Sequence, residues 1–256
     1  MLVVLSPAKK LNFDEKPEGL IETLPDYQID ANRLAGIAKK LSVSELRDLM
    51  KISEDLAKLN RERFQSFAQE STADNSKQAM LAFAGDTYVG LNADSLNPDE
   101  QAYAQDHLRI LSGLYGLLRP MDRIQPYRLE MGSRLANTEG PSLYAYWGTK
   151  LAEALDEASG GAPVVNCAST EYFKAANPKI MKSTVITPTF KEDRNGELKM
   201  IGFFAKKARG AMARYMITNR VESFDGVKDF DLDGYKFQPK LSDETTPIFT
   251  RKAAQG

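Results

Sequence analysis

The chain is poor in the residues that build metal and redox centres: its 256 residues include one cysteine, one histidine and one tryptophan. A single cysteine, Cys167, excludes an internal disulfide, and a single histidine leaves no Cys/His zinc set within one chain. The paired Glu-x-x-His spacing of carboxylate di-iron sites is absent as well, so no metal and no cofactor is expected. Long apolar runs are also missing. The opening stretch of residues 1–5 is too short for a signal-peptide core and is interrupted by Pro7, Lys9 and Lys10, and no segment has the uninterrupted apolar length of a membrane span. The expectation is a cytoplasmic protein with no membrane partner. Nor does either sign of charge dominate, since 34 Lys and Arg oppose 35 Asp and Glu, and global charge gives no argument for a nucleic-acid partner.

What is present describes a globular chain. Hydrophobic residues make up 42% and charged residues 27%, enough apolar material for a packed core. One domain over residues 1–256 is expected, with 222–256 as an acidic, partly irregular C-terminal segment that loosens at its end. Charge is segregated locally. Between Leu198 and Val221 lie Lys199, Lys206, Lys207, Arg209, Arg214 and Arg220 with no acidic residue, whereas Glu222, Asp225, Asp229, Asp231 and Asp233 follow. A solvated basic face is the ordinary meaning of such a run; an anion-binding face is the sharper one.

Residues 2–5 read as a buried strand, after which Ser6 and Pro7 suit the N-cap and first position of a helix. That turn would aim backbone N–H groups outward beside Lys9 and Lys10, an anion-binding arrangement. Residues 30–69 carry helical pattern, with a capping box at Ser42 and Glu45 and a second start at Ser53. Residues 79–84 read as a core strand whose following turn leaves Asp86 at the strand end. Asn97, Pro98 and Glu100 start a helix that Ser112 and Gly113 end. A long helix is expected over 142–158, a strand over 164–167, and a helix capped by Ser169 or Thr170. Strands over 184–191 and 198–204 join through the Arg194-Asn195-Gly196 turn, a hairpin signal, and a basic helix spans 205–220. Two short strands fall near 234–237 and 247–250. Interleaved strands and helices with a late hairpin predict an α/β to α+β fold with a mixed central sheet surrounded by helices.

Chemistry concentrates in residues 107–132, where glycines and arginines occur together. Gly113 and Gly116 permit close backbone approach and a phosphate cradle, or equally a helix terminator and a tight turn beneath the core. His107, on an apolar helix face, reads as a hydrogen-bonded core histidine, and Cys167 as an inert core thiol without a resolving partner. Ser6 and Ser169 both follow strands, where open α/β sheets bind ligands. If those strands are neighbours, Ser6, Lys9, Asn166, Ser169 and Lys174 converge with Asp86 or Glu130.

The motifs Leu5-Ser6-Pro7-Ala8-Lys9 and Gly85-Asp86-Thr87-Tyr88, with the stretches 107–120, 126–132, 166–174 and 203–210, resemble those of the peroxide stress resistance YaaA family over nearly the full length. The resemblance implies a cytoplasmic bacterial protein of the hydrogen peroxide response, with a fold of its own, a helix-hairpin-helix-like element and a positively charged cleft that binds DNA. Carried onto this sequence, the hairpin falls on residues 111–119, although its glycines stand as Gly-x-x-Gly and Pro120 and Pro126 curtail a second helix. The implied cleft residues are Lys9, Lys10, Arg109, Arg119, Arg128, Lys174, Lys206, Lys207 and Arg209. The expected function is binding of double-stranded DNA with little sequence specificity. The alternative is an enzyme acting on a nucleotide or nucleobase, glycosylase-like, with Asp86 or Glu130 as acid or base and a nucleotide ligand.

Overall fold

A computed structural model describes residues 1–14 and 22–253; the expected loose end of the tail, at 254–256, lies outside the described residues. The valine-rich run Leu2–Leu5 forms β1 and is buried throughout, as a central strand with both faces covered must be. Helices α1 (Gln28–Ala38), α2 (Val43–Met50) and α3 (Glu54–Ser66) follow. The two starts legible in the sequence are real. Ser42 Oγ accepts the Glu45 N–H while the Glu45 carboxylate returns to the Ser42 N–H, and Ser53 Oγ accepts the Leu56 N–H.

After β2 (Lys77–Gln78) the expected strand over 79–84 is instead the one-turn helix α4 (Ala79–Ala82), all four residues buried. A short apolar run reads the same in a buried helix as in a buried strand. Helix α5 (Asp86–Leu91) precedes α6 (Pro98–His107), whose Asn97–Glu100 capping box is formed. Helix α6 ends at His107, ahead of the expected Ser112, because Leu108–Ser112 is strand β3 and pairs with β1. Strands β4 (Gly116–Leu118) and β5 (Arg123–Ile124) come next. The long helix expected over 142–158 is two, α7 (Leu143–Trp147) and α8 (Lys150–Ser159), broken at Gly148 with φ 49°.

Strand β6 (Val164–Asn166) leads to the short helix α9 (Thr170–Phe173), then β7 (Val185–Ile186), β8 (Thr189–Arg194) and β9 (Glu197–Lys199). Strands β8 and β9 form the expected hairpin, with Asn195 and Gly196 at φ 58° and 89°, the left-handed pair that two-residue turns need. Helix α10 (Gly202–Thr218) begins where the second strand was expected to continue. Helix α11 (Phe224–Lys228), β10 (Lys236–Phe237) and β11 (Ile248–Lys252) complete the chain, the two strands where the tail pattern put them.

The fold is mixed α/β. One sheet has the order β4-β3-β1-β6-β7, in which β3, β1, β6 and β7 are parallel and β4 is antiparallel. A second sheet, β10-β11-β8-β9, adds a parallel β8–β11 pair. The chain leaves β1 toward β3 on one side and leaves β6 toward β7 on the other. Neighbouring β1 and β6 therefore mark the point where the sheet's connections diverge, and a crevice opens beyond their carboxyl ends. Among the described residues no helix is long and apolar enough to cross a membrane.

Residues 111–119 do not form a helix-hairpin-helix element. They are the β3–β4 hairpin, with Ser112 opposite Gly116. Ser112 Oγ accepts the N–H groups of Leu114 and Tyr115 at 3.2 and 2.9 Å, so these donors are spent and buried. Gly113 is pressed against the Leu129 backbone, and Gly116, at φ 68°, leaves a missing Cβ 2.6 Å from the Trp147 ring. Both glycines serve a packed turn, and a phosphate has no access there.

Helices α5 and α10 meet at glycines. A Cβ on Gly90 would enter the backbone of Lys207 and Ala211, and one on Gly210 that of Thr87 and Leu91. Such an approach leaves no room to relax, so Gly210→Ala should lower the unfolding free energy by about 1–3 kcal/mol. Gly36 in α1 has nothing within 4 Å, and Gly36→Ala should raise it by roughly 0.5–1 kcal/mol through helix propensity. Urea denaturation of the two variants beside the parent checks both signs.

Candidate functional site: a cationic cleft beyond β1 and β6

The crevice is a cleft of about 530 Å³ lined by the segments after β1 and β6, the start of α5 and one face of α10. Its framework is a set of hydrogen bonds between those segments. No helix forms after Ser6, contrary to expectation. The Ser6 hydroxyl instead accepts the Ser169 N–H at 2.8 Å and lies 3.3 Å from Ser169 Oγ. The Tyr88 hydroxyl, on α5, donates to the Ser6 carbonyl at 3.1 Å. Burial pushes the phenols of Tyr88 and Tyr172 upward, so both remain protonated. Two loops and a helix are thus joined before any ligand enters.

Charge is supplied by Lys9, Lys10, Lys206 and Arg209, set against the carboxylates of Asp86 and Glu171. Lys206 and Arg209 are three residues apart and share a helix face. The half-buried Arg209 guanidinium has no hydrogen-bond or carboxylate partner among the described residues. A guanidinium withdrawn from water without a partner is costly, and an incoming anion relieves that cost. Asp86 opens α5 and likewise has no side-chain partner among the described residues. Lys9 lies 3.5 Å from Glu130 Oε1 while largely exposed, an ion pair worth about 0–1 kcal/mol that leaves the ammonium available.

Several expected residues are elsewhere. Lys207 is turned from the cleft and its ammonium lies 3.0 Å from Asp233, in the acidic tail. Arg109 donates to the carbonyls of Gln105 and Leu108, and burial followed by the repulsion of Arg119 pulls its pKa down. Arg119 is held by Asp122, Asp26 and the Leu24 carbonyl. Arg128 is bound to Glu130 Oε1 by Nε and Nη2, both at 2.9 Å. Glu130 lines a small recess that shares Pro7, Ala8, Lys9 and Tyr172 with the cleft, and its buried Oε2 has no hydrogen-bond partner among the described residues. Asn166 and Lys174 line a different cavity. Ser6, Lys9 and Ser169 therefore converge with Asp86 as the neighbouring strands required; Gly113, Gly116, Arg109 and Arg119 do not join them.

Sequence reasoning missed Thr87 and Glu171 in the cleft wall and the glycines that dock α10 on α5. The signal for the latter was present: glycine inside a helical pattern usually marks a close approach. His107 is the hydrogen-bonded histidine expected, with Nδ1 3.1 Å from the Met1 carbonyl and its ring stacked on Tyr103. Among the described residues no group of three or more His, Cys, Asp or Glu side chains is placed to hold a metal.

Fold and site together define a mixed-sheet α/β protein with a cation-lined cleft at its topological switch point. A family model described as peroxide stress protein YaaA matches residues 1–241, and the chain belongs to that family. A UPF0246 protein of Dinoroseobacter shibae is 55% identical over 255 residues, covering 98% of this chain and 95% of that protein. One of Aromatoleum aromaticum is 51% identical over 260 residues, covering 99% of this chain and all of that protein.

Cys167 borders the cleft but is buried, and burial pushes its thiol up to about 12 against the opposing pull of Arg209. The unfolded thiol releases its proton nearer 9, so the unfolded state binds fewer protons between about pH 9 and 12, and this group erodes native stability as pH rises through that window. Iodoacetamide at about pH 8 should leave Cys167 unmodified in the folded chain and alkylate it fully in denaturant, read by intact mass.

Proposed function

We propose that this protein acts in the hydrogen peroxide response by binding double-stranded DNA through the cationic cleft, with little sequence specificity. The observation that carries this reading is the convergence in one cavity of Lys9, Lys10, Lys206 and Arg209, the last without a side-chain partner among the described residues. Four cations against two carboxylates give the cleft a net positive lining in a chain whose overall charge is −1. Ammonium and guanidinium groups neutralise backbone phosphates whatever the base sequence, which supports affinity rather than base readout.

A second reading has one observation in its favour. Asp86 brings a carboxylate without a side-chain partner among the described residues into the same cavity, where an acid or base acting on an extruded nucleobase would stand. In that case the cations hold the flanking phosphates and the protein is a glycosylase-like enzyme.

Fluorescence anisotropy with duplex, single-stranded and lesion-bearing DNA across a salt series tests both. Lys206→Glu and Arg209→Glu should weaken duplex binding on every sequence and flatten the salt slope by about 0.9 for each phosphate that is no longer neutralised. Lys207→Ala should leave both unchanged. Absence of salt-dependent binding sinks the first reading. Base release that Asp86→Asn abolishes, with binding intact, establishes the second.

A further inference from the structure

The connection from β6 into α9 lines two cavities with different residues. Cys167, Ser169, Glu171 and Tyr172 face the cationic cleft, whereas Asn166, Thr170, Phe173 and Lys174 face a second cavity of about 710 Å³. Its volume falls within the roughly 300–1,000 Å³ of small-molecule sites. Like the cleft, it lies beyond the carboxyl ends of parallel strands, here β6 and β7.

Three features specify what fits. Much of the wall is apolar, built from Phe173, Ala175, Pro178 and Val185 with the Tyr144 ring. At the strand ends sits Asn166, only 8% exposed. Its Oδ1 accepts the Ala168 N–H at 3.0 Å, but its Nδ2 reaches only Thr187 Oγ1, at a long 3.4 Å. An amide NH₂ has two donors, so at least one lacks an acceptor among the described residues. Lys174 and Lys179 line the same cavity, both exposed. Lys174 Nζ rests 4.9 Å from the Tyr144 ring centroid, and no carboxylate among the described residues lines the cavity.

An aliphatic ligand would strand the Asn166 amide and the Thr187 hydroxyl against hydrocarbon. A bare inorganic anion would leave the apolar wall without a partner. A planar heterocycle with acceptor atoms on its edge and an anionic group at the other end satisfies the amide, the wall and the ammonium groups together. We propose that this cavity is a binding site for a nucleoside monophosphate, with the base edge accepting from Asn166 Nδ2 and the phosphate held by Lys174 and Lys179. The site is separate from the DNA reading, because none of the residues named for it lines the cationic cleft.

The test is calorimetric titration of the full chain with AMP, GMP, CMP, UMP and, separately, inorganic phosphate. At least one nucleotide should bind saturably with a Kd below roughly 1 mM, and more tightly than phosphate. Lys174→Glu and Lys179→Glu should each weaken it about tenfold, as expected when a charge-assisted hydrogen bond is removed. Val185→Trp, which fills the cavity, should abolish binding; its thermal midpoint reports folding independently, and the two exposed lysine variants read the site without touching the core. Lys206→Glu should leave nucleotide binding unchanged while weakening DNA. No saturable heat with any nucleotide at millimolar concentration overturns the proposal. So does binding that Lys206→Glu removes and Lys174→Glu spares, or phosphate binding as tightly as every nucleotide.

Discussion

The interaction on which the site depends is the one between α5 and α10, made where Gly90 and Gly210 let two helix backbones meet without side chains between them. No other pair of helices is so constrained among the described glycines. It fixes the rotation of α10, and that rotation decides which of its cations face the cleft and which face the tail. Because both sides are backbone, the position has no soft degree of freedom through which a misfit could be absorbed. The start of α5 carries Asp86 and Thr87, so one close approach registers both walls of the cavity.

Several cations outside the cleft are engaged in structure, and their placement helps explain why a balanced composition still yields a cationic cleft. Arg119 and Arg128 are held by buried or half-buried carboxylates, Arg109 by carbonyl groups, and Lys207 by Asp233. Burial pushes the Asp122 carboxyl up, opposed by hydrogen bonds from Thr23 and Arg119 and by the charge of Arg119. Thr23 Oγ1 at 2.6 Å and the Arg119 N–H at 2.7 Å mark the strength of that anchorage. Of the cations that line the cleft, Lys10, Lys206 and Arg209 have no such partner among the described residues, and Lys9 has only the exposed contact with Glu130. An unpaired half-buried guanidinium is expensive to keep, and a binding site is where such a cost has a use.

The sheet explains why two cavities lie so close together. Where connections from adjacent parallel strands diverge, backbone leaves both ways and no element caps the strand ends. The segment after β6 runs through that opening and presents different residues to either side. Ser169, bound to Ser6, ties it to the cleft. Asn166, whose Oδ1 holds the Ala168 N–H, braces it on the other face.

The sequence by itself determined much of the local structure. The caps at Ser42, Ser53 and Asn97, the Asn195-Gly196 hairpin, the buried strands β1 and β6, the hydrogen-bonded, partly buried His107 and the buried Cys167 all follow from neighbours within a few residues. It also determined family membership, because several ordered motifs spread along the chain are specific together. Tertiary structure decided the rest. Residues 79–82 are helical although a buried strand would read the same, and the Gly113–Gly116 turn closes a β-hairpin because β3 finds β1 and Trp147 fills the space over Gly116. Which lysines and arginines remain free was also settled only in three dimensions, since their carboxylate and carbonyl partners include groups as remote as Asp26 and Asp233. Capping and turn formation are short-range and leave marks at fixed spacing; pairing of charges and docking of helices depend on groups that only the folded chain brings together.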